Sequence, residues 1–255
     1  MRFTTDTSIL KSGIDIVSHA SSSGGMTPIL ENILITVAYK KAILTANNLE
    51  MAIEYVLDDK IEIVSEGSFT VSSRFISSFL SLVSDDRISV SLVDGGSLEF
   101  TTPTSLTKVK GIEATKFPVI PGFQANEPLR IPAASLKRSI ERTIFSTAEG
   151  NIRPTLAGIC LQIREDGIVF ASTDSFRLSE YVLKADIVHP PLSIIIPSKT
   201  AMELARILPD SGDAELYASE NQLLVVFGNI KVYSRLLNGH FPDYRNFFPK
   251  GYSTK

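Results

Sequence analysis

The spacing of apolar residues predicts four helices along the chain. In four segments, apolar residues recur three and four positions apart, as on one face of a helix, after a small polar residue that can cap the first turn. We expect these helices to begin at Thr7 or Ser8, and near Ser72, Ser135 and Ser198. Their apolar faces consist of Leu10, Ile14 and Val17; Phe75, Ile76, Phe79, Leu80 and Val83; Leu136, Ile140 and Ile144; and Ala201, Leu204, Ala205 and Leu208.

The segments between these helices have the alternation of β-strands. Residues 33–46, 87–102, 214–228 and 230–237 are rich in β-branched residues, and "DGG" and "SEN" provide hairpin turns. Each half of the chain is therefore predicted to contain a strand, a helix and three strands, twice over. Such units form an α+β architecture in which antiparallel sheets carry helices on one face.

An internal repeat of about 125 residues supports this division. Leu10 corresponds to Leu136 and Pro28 to Pro154, 126 positions apart, and residues 42–57 correspond to 168–183 at the same offset. The breaker-rich stretch "PGFQANEP" separates the halves. We therefore predict domains at 1–125 and 126–250, with 251–255 starting a linker.

Composition favours a globular protein without a cysteine-based site. The formal net charge is −3, which does not indicate a nucleic-acid binder by itself. Cys160 is the single cysteine, which excludes an intramolecular disulfide and a cysteine zinc cage and suits a reducing compartment. His19, His189 and His240 lack metal-ligand spacing. We expect neither a metal nor a cofactor.

The amino-terminal segment and the hydropathy pattern favour a soluble, cytoplasmic protein. Asp6, Lys11 and Asp15 interrupt the amino-terminal segment, so no signal peptide is visible. No stretch approaches the roughly 20 apolar residues that a membrane helix requires.

The segment "ASTDSFRLSEYV", residues 171–182, is the first candidate for chemistry. Asp174 beside Ser175 suggests a nucleophile, but the flanks lack the Gly-x-Ser-x-Gly elbow and no histidine has triad spacing. A hairpin turn explains the same residues. Asp174 can close an Asx turn, and Thr173 and Ser175 can form hydrogen bonds with the backbone where the chain reverses. We expect no catalytic residue here.

Paired acids and phosphate loops provide little support for an enzyme. Asp58 with Asp59, and Asp85 with Asp86, lie in polar segments where solvated turn acids are the rule. The chain contains no GxxxxGK[ST] loop. If the protein is an enzyme, the alternative function is that of a metal-dependent nuclease.

Several motifs resemble those of one family along the whole chain. "TDSFRLSEYVL" and "SRLLNGHFPDYRNFFPK" resemble the TD-[GS]-x-R-L-A and PDY segments of bacterial DNA polymerase III beta subunits, the replicative sliding clamps. "MTPILENILI", "LTANNLEM" and "RPTLAGICL" resemble further blocks, in the same order. The resemblance implies the DNA-clamp fold: two tandem domains, each of two β-α-β-β-β units, with antiparallel sheets outside and helices on the inner, DNA-facing side.

The resemblance also implies a function without catalysis. Family members act as processivity factors: they encircle double-stranded DNA without reading its sequence, and they tether the replicative DNA polymerase, the clamp loader and repair proteins through short linear motifs. Full-length members have three domains and form a ring-shaped homodimer, so we expect this two-domain chain to be a monomer or a non-native oligomer. The alternatives are a trimer of the proliferating cell nuclear antigen type and a peptide-binding scaffold without a DNA role.

The basic residues expected to face DNA lie mainly on the predicted helices. The helix near Leu136 leaves Arg138 and Arg142 on its polar side, four positions apart, so they do not neutralise each other. An ordinary solvated helix face is the competing interpretation, and an ion pair anchoring the turn is the competing role for Arg153. The full set is Lys11, Arg74, Lys137, Arg138, Arg142, Arg153, Lys199 and Arg206.

The peptide groove is carried over from the family residue by residue. An apolar pocket with a few polar rim groups suits one or two anchoring side chains of an extended peptide. Ser175, Phe176 and Asn246 replace residues that are often glycine, histidine and arginine in the family, which changes the polarity of the rim. The predicted walls are Leu156, Thr173, Ser175, Phe176, Arg177, Leu178, Pro242, Asn246 and Phe247.

Overall fold

The computed structural model describes residues 1–22, 24, 27–123, 127–150, 153–184 and 189–247, the last without its side chain. These residues form two compact units. The first unit comprises Met1–Leu136 and Arg206–Arg235, and the second comprises the described parts of Lys137–Ala205 and Leu236–Lys255.

The order of elements confirms the predicted repeat of a strand, a helix and three strands, with one additional strand, β5. The first two copies are β1 (Arg2–Asp6), α1 (Thr7–Ser18), β2 (Asn32–Ala38), β3 (Lys41–Asn47), β4 (Met51–Leu57), β5 (Ile61–Ser65), β6 (Gly67–Ser72), α2 (Ser73–Leu82), β7 (Arg87–Val93), β8 (Ser97–Thr101) and β9 (Leu106–Lys110). The next two are β10 (Leu129–Pro132), α3 (Ala133–Thr143), β11 (Gly158–Arg164), β12 (Gly167–Thr173), β13 (Leu178–Leu183), β14 (Ser193–Pro197), α4 (Ser198–Ile207), β15 (Asp213–Ala218), β16 (Gln222–Phe227) and β17 (Ile230–Arg235).

The strands form three antiparallel sheets, as the α+β prediction requires. The first unit contains a five-stranded sheet, β5-β1-β7-β8-β9, and an eight-stranded sheet, β10-β15-β16-β17-β4-β3-β2-β6. The second unit contains the four-stranded sheet β13-β12-β11-β14. The eight-stranded sheet is continuous because β17 pairs with β4, with Val232 opposite Ile53, and so the first unit includes strands from both repeats.

Helix α1 lies against the eight-stranded sheet through its predicted apolar face. Leu10, Ile14 and Val17 are fully buried. Gly13 allows the helix to approach the sheet closely, because a Cβ atom there would lie 2.8 Å from both Leu44 Cδ1 and Tyr55 Cδ1. The core of the first unit thus lies between α1 and strands β3 and β4.

Three predicted helix starts are confirmed, including that of α1 at Thr7, and one is wrong. Helices α2 and α4 begin at Ser73 and Ser198, and the Ser72 hydroxyl accepts a bond from the Phe75 N–H at 3.5 Å. Helix α3 begins at Ala133 rather than near Ser135. The Ala133 N–H donates to the Gly212 carbonyl at 2.8 Å. The first turn of α3 is therefore anchored by the segment that precedes β15.

No helix in the described part of the chain combines the length and the apolar character that spanning a membrane would require.

Candidate functional site

The turn between β12 and β13 has the bonding that its sequence predicts. The Asp174 carboxylate accepts the backbone N–H groups of Phe176 and Arg177, both at 2.9 Å, which makes it an Asx turn. Thr173 Oγ1 accepts the Ser175 N–H at 3.0 Å and donates to the Arg177 carbonyl at 2.7 Å. The N–H of Arg177, and then that of Phe176, hold the pKa of Asp174 below its ordinary value. The carboxylate therefore serves the turn as an acceptor.

The tip of this turn is strained and exposed. Ser175 has a φ of +80°, a region that favours glycine, and its hydroxyl accepts a 2.6 Å bond from the Arg153 guanidinium. The Phe176 side chain is 98% exposed. An exposed aromatic ring beside a bonded arginine gives this turn an apolar and cationic surface.

A second wall comes from the segment that follows β17. The Leu237 N–H donates to the Ile195 carbonyl at 3.0 Å, which attaches the segment to β14. Gly239 has a φ of +118°, and a Cβ atom there would lie 2.7 Å from Thr155 Cγ2. Glycine is required at this crossing because the chain both turns and passes close to Thr155.

A polar cluster under this wall fixes its position. Tyr244 is only 4% exposed, and its hydroxyl donates to the Glu180 carboxylate and accepts from Arg164 at 3.2 Å. Arg164 also pairs with Glu180 at 3.3 Å, and its guanidinium lies 5.6 Å from the centre of the Tyr244 ring. Strands β11 and β13 thus hold the tyrosine through one residue each. Sequence reasoning missed these three residues as a set, although Tyr244 belongs to the PDY motif.

The two walls enclose a depression of about 860 Å³ in the second unit. Seven of the nine predicted groove residues line it: Leu156, Thr173, Ser175, Phe176, Arg177, Leu178 and Pro242. Arg153, Thr155, His240 and Tyr244 line it as well. Among the described residues, the lining contains two arginines and a histidine but no carboxylate. The Arg177 guanidinium is paired with the Asp174 carboxylate at 2.9 Å, so the depression offers apolar contact with the Arg153 guanidinium as the cation at its rim.

The remaining two predicted groove residues are Asn246, which is not among the residues that line the depression, and Phe247. Asn246 is exposed, and its amide donates to the Asp243 carboxylate at 3.0 Å. The backbone of Phe247 ends a short 3₁₀ helix, Tyr244–Phe247, but its side chain is outside the described part of the structure.

The structure places the predicted DNA-facing residues in two groups. Seven lie on the helices, and of these Arg74, Arg138, Arg142, Lys199 and Arg206 are exposed while Lys11 and Lys137 are partly buried. On α3, Leu136 and Ile140 are buried on the opposite side from the two exposed arginines. Arg153 differs from the others because it lines the depression and binds Ser175.

Alkaline pH should destabilise the second unit through Tyr244. Burial, followed by the bond to Glu180, raises the pKa of Tyr244 to about 12, against an ordinary value of 10.0. The folded state therefore keeps the phenol protonated: its contribution is complete below about pH 10 and is lost as pH rises towards 12. We expect the free energy of unfolding to fall by about 1–2 kcal/mol. This is less than the full shift in the pKa of Tyr244 implies, because the hydroxyl lies among polar groups. Calorimetry across this pH range should show a flatter dependence for Tyr244→Phe than for Tyr39→Phe, whose ring is exposed; equal slopes would contradict the assignment.

Comparison with known proteins gives one consistent result. Residues 1–121 match the model of the DNA polymerase III beta subunit, N-terminal domain, and residues 130–243 match that of the central domain. The beta sliding clamps of Staphylococcus epidermidis and Staphylococcus aureus are 28% identical over 235 residues, which is 89% of this chain and 62% of theirs. The chain thus spans less than two thirds of the length of these curated relatives.

Solved structures agree in fold. The DNA polymerase sliding clamp from Bacillus subtilis has a TM-score of 0.94 and 25% identity, with 98% of this chain and 68% of that chain covered. A sliding clamp from Pseudomonas aeruginosa bound to griselimycin has a TM-score of 0.90 and 26% identity over the same shares. Together with the two domain models, which cover nearly the whole chain, these similarities show that the chain belongs to the family of DNA polymerase III beta subunits.

Proposed function

We propose that this chain is the amino-terminal two-domain portion of a bacterial sliding clamp, a non-catalytic processivity factor of the replicative DNA polymerase. It would consist of domain I at 1–125, domain II at 126–250 and the start of a linker at 251–255. The observation that carries the proposal is the depression in the second unit, where seven residues predicted from the family groove lie together. It would act in the cytoplasm and would need no metal or cofactor.

The depression suits a short linear motif of a partner protein. Leu156, Leu178 and Pro242 supply apolar contact, and Arg153 supplies a cation at the rim. An extended peptide with one or two anchoring side chains uses such a surface without folding first. We propose that the replicative DNA polymerase, the clamp loader and repair proteins bind there and are thereby kept on the template.

The exposed cations on the helices suit duplex DNA without sequence readout. A clamp must attract phosphates and leave the bases unread, since contacts to phosphate carry no direct sequence information. The arginines Arg138 and Arg142 on α3 are exposed and share one face. We propose that this face, with the other predicted helix cations, borders the DNA.

Strand β13 lies at the edge of its sheet among the described residues. In the first repeat, β4 pairs with β3 on one side and β17 on the other. Its counterpart in the second repeat is β13, which within the described residues pairs with β12 alone. We propose that the last strand of a third repeat completes this edge in a full-length, ring-forming homodimer.

The DNA proposal is tested by removing both arginines from α3. Arg138→Ala combined with Arg142→Ala should weaken binding of a short DNA duplex, because two phosphate contacts are lost. The slope of log K against log salt should become less negative by about 1.8, since each phosphate contributes about 0.9. Fluorescence anisotropy over a series of potassium chloride concentrations measures this slope.

The matched control replaces two exposed lysines that lie outside the helices. Lys110 lies on β9, and Lys116 lies in the short 3₁₀ turn Ala114–Lys116. Lys110→Ala combined with Lys116→Ala removes the same charge. The slope of log K against log salt should then equal that of the parent chain. If the two double variants have equal slopes, the α3 face does not contact DNA.

A further inference from the structure

The first unit contains a turn that repeats three side-chain-to-backbone hydrogen bonds of the turn beside the peptide depression. Asn47 Oδ1 accepts the Leu49 N–H at 2.8 Å, as Thr173 Oγ1 accepts the Ser175 N–H at 3.0 Å. Asn48 Oδ1 then accepts the next two N–H groups at 3.1 and 2.8 Å, as the Asp174 carboxylate does. Residues 47–51 and 173–177 are thus equivalent at an offset of 126.

The backbone strain is repeated as well. Leu49 has a φ of +73°, and its counterpart Ser175 has +80°. A branched side chain at such a φ is strained, and strained residues of this kind cluster at functional sites. The Leu49 side chain is 52% exposed, so core packing does not account for it.

A smaller depression lies beside this turn, entirely within the first unit. Its volume is about 100 Å³, the space of about three water molecules, which suits one branched aliphatic side chain. Leu49 and Met51 line one side, Val119 and Ile120 form a second, and Leu223 on β16 contributes a third. The Val119–Ile120 wall follows Pro118, whose counterpart in the second repeat is Pro242, a residue in the wall of the larger depression. This site is closed on three sides by the described chain itself.

Among the described residues that line this depression, Arg235 is the one cation. Arg235, at the end of β17, is exposed, and no ion pair of its guanidinium occurs within the described residues. Glu50 also lines the rim, but it already has another interaction. A ligand carboxylate beside an apolar anchor would therefore complement this surface.

We propose that the first unit has a second peptide-docking site, formed by Leu49, Val119, Ile120 and Arg235, for a segment with a leucine-sized anchor next to an acidic residue. This site goes beyond the groove of the second unit and requires neither DNA nor a third domain. With two sites on one chain, a partner carrying two motifs would bind more tightly than either motif alone. A single anchor and one charge pair correspond to a Kd of about 1 mM or somewhat lower.

The test uses an acetylated and amidated pentapeptide, Gly-Asp-Leu-Asp-Gly, with the 255-residue chain carrying Leu178→Asp to disable the larger depression. Methyl NMR should show saturable shifts at Leu49, Met51 and Leu223. In this background, Arg235→Glu should weaken binding at least about tenfold, because one charge pair is replaced by repulsion. Leu49→Gly should weaken it similarly, and glycine tolerates the φ of +73°, so the fold is preserved.

The matched control is Lys110→Glu, which changes the net charge by the same amount on an exposed residue of β9. It should keep the affinity of its parent, and peptides with asparagine for aspartate or alanine for leucine should bind at least about tenfold more weakly. Absence of saturable shifts, or equal effects of Arg235→Glu and Lys110→Glu, would refute the second site. Either result leaves the larger depression untouched, because its binding is measured separately in the chain without Leu178→Asp.

Discussion

We expect the replacement of Leu178 by aspartate to lower the affinity of the second unit for a polymerase-derived motif peptide by about 30- to 150-fold. Leu178 is partly buried at the start of β13 and lines the depression. The substitution removes the burial of a leucine side chain against the peptide, which contributes about 2–3 kcal/mol, and it places an unpaired carboxylate where an apolar anchor binds. Isothermal titration calorimetry of the parent chain and the variant with the same peptide measures the loss.

The control for this experiment is the same substitution at an exposed leucine of the first unit. Leu82, at the end of α2, is 85% exposed, so Leu82→Asp should leave peptide affinity unchanged. Hydrogen exchange of β12, which pairs with β13, separates lost contact from local unfolding. Unchanged affinity in Leu178→Asp with intact exchange protection would exclude Leu178 from the binding surface.

Local chemistry explains which parts of the fold could be predicted. The Asx turn at Asp174 depends on side chains within three positions of each other, and it forms as expected. The starts of α2 and α4 follow from serine residues at the helix termini. The start of α3 could not be predicted because the acceptor for the Ala133 N–H comes from Gly212, far along the chain.

Long-range pairing explains what the sequence does not reveal. The repeat predicts four similar units, but it does not say that β17 pairs with β4 and so joins strands of both repeats in one sheet. The polar cluster of the site could not be predicted from the sequence for the same reason. Tyr244 lies 80 positions from Arg164 and 64 from Glu180. The motifs that resemble the clamp family group seven residues that line the depression, although these residues are far apart in the sequence.

Replacing Tyr244 by alanine should destabilise the second unit by about 3–5 kcal/mol, the usual cost of deleting a buried aromatic side chain. The ring packs edge-on against Phe241, 6.0 Å away between centroids, and lies beside the Arg164 guanidinium. Its loss also removes the hydroxyl between Arg164 and Glu180 and frees the segment that carries Pro242. Peptide affinity should therefore fall together with stability, because one wall of the depression loses its anchor.

Two variants separate the contributions of the ring and the hydroxyl. Tyr244→Phe keeps the ring, so it should cost only about 1 kcal/mol and keep most of the peptide affinity. Tyr39→Ala removes a tyrosine that is 88% exposed and should change stability by less than about 0.5 kcal/mol. Hydrogen exchange of β11 and β12 reports the second unit alone, which matters because a chain with two compact units need not unfold in one step. If Tyr244→Ala retained the parent's exchange protection and peptide affinity, the cluster would not support the wall, and the position of Pro242 would depend on the attachment of Leu237 to β14 instead.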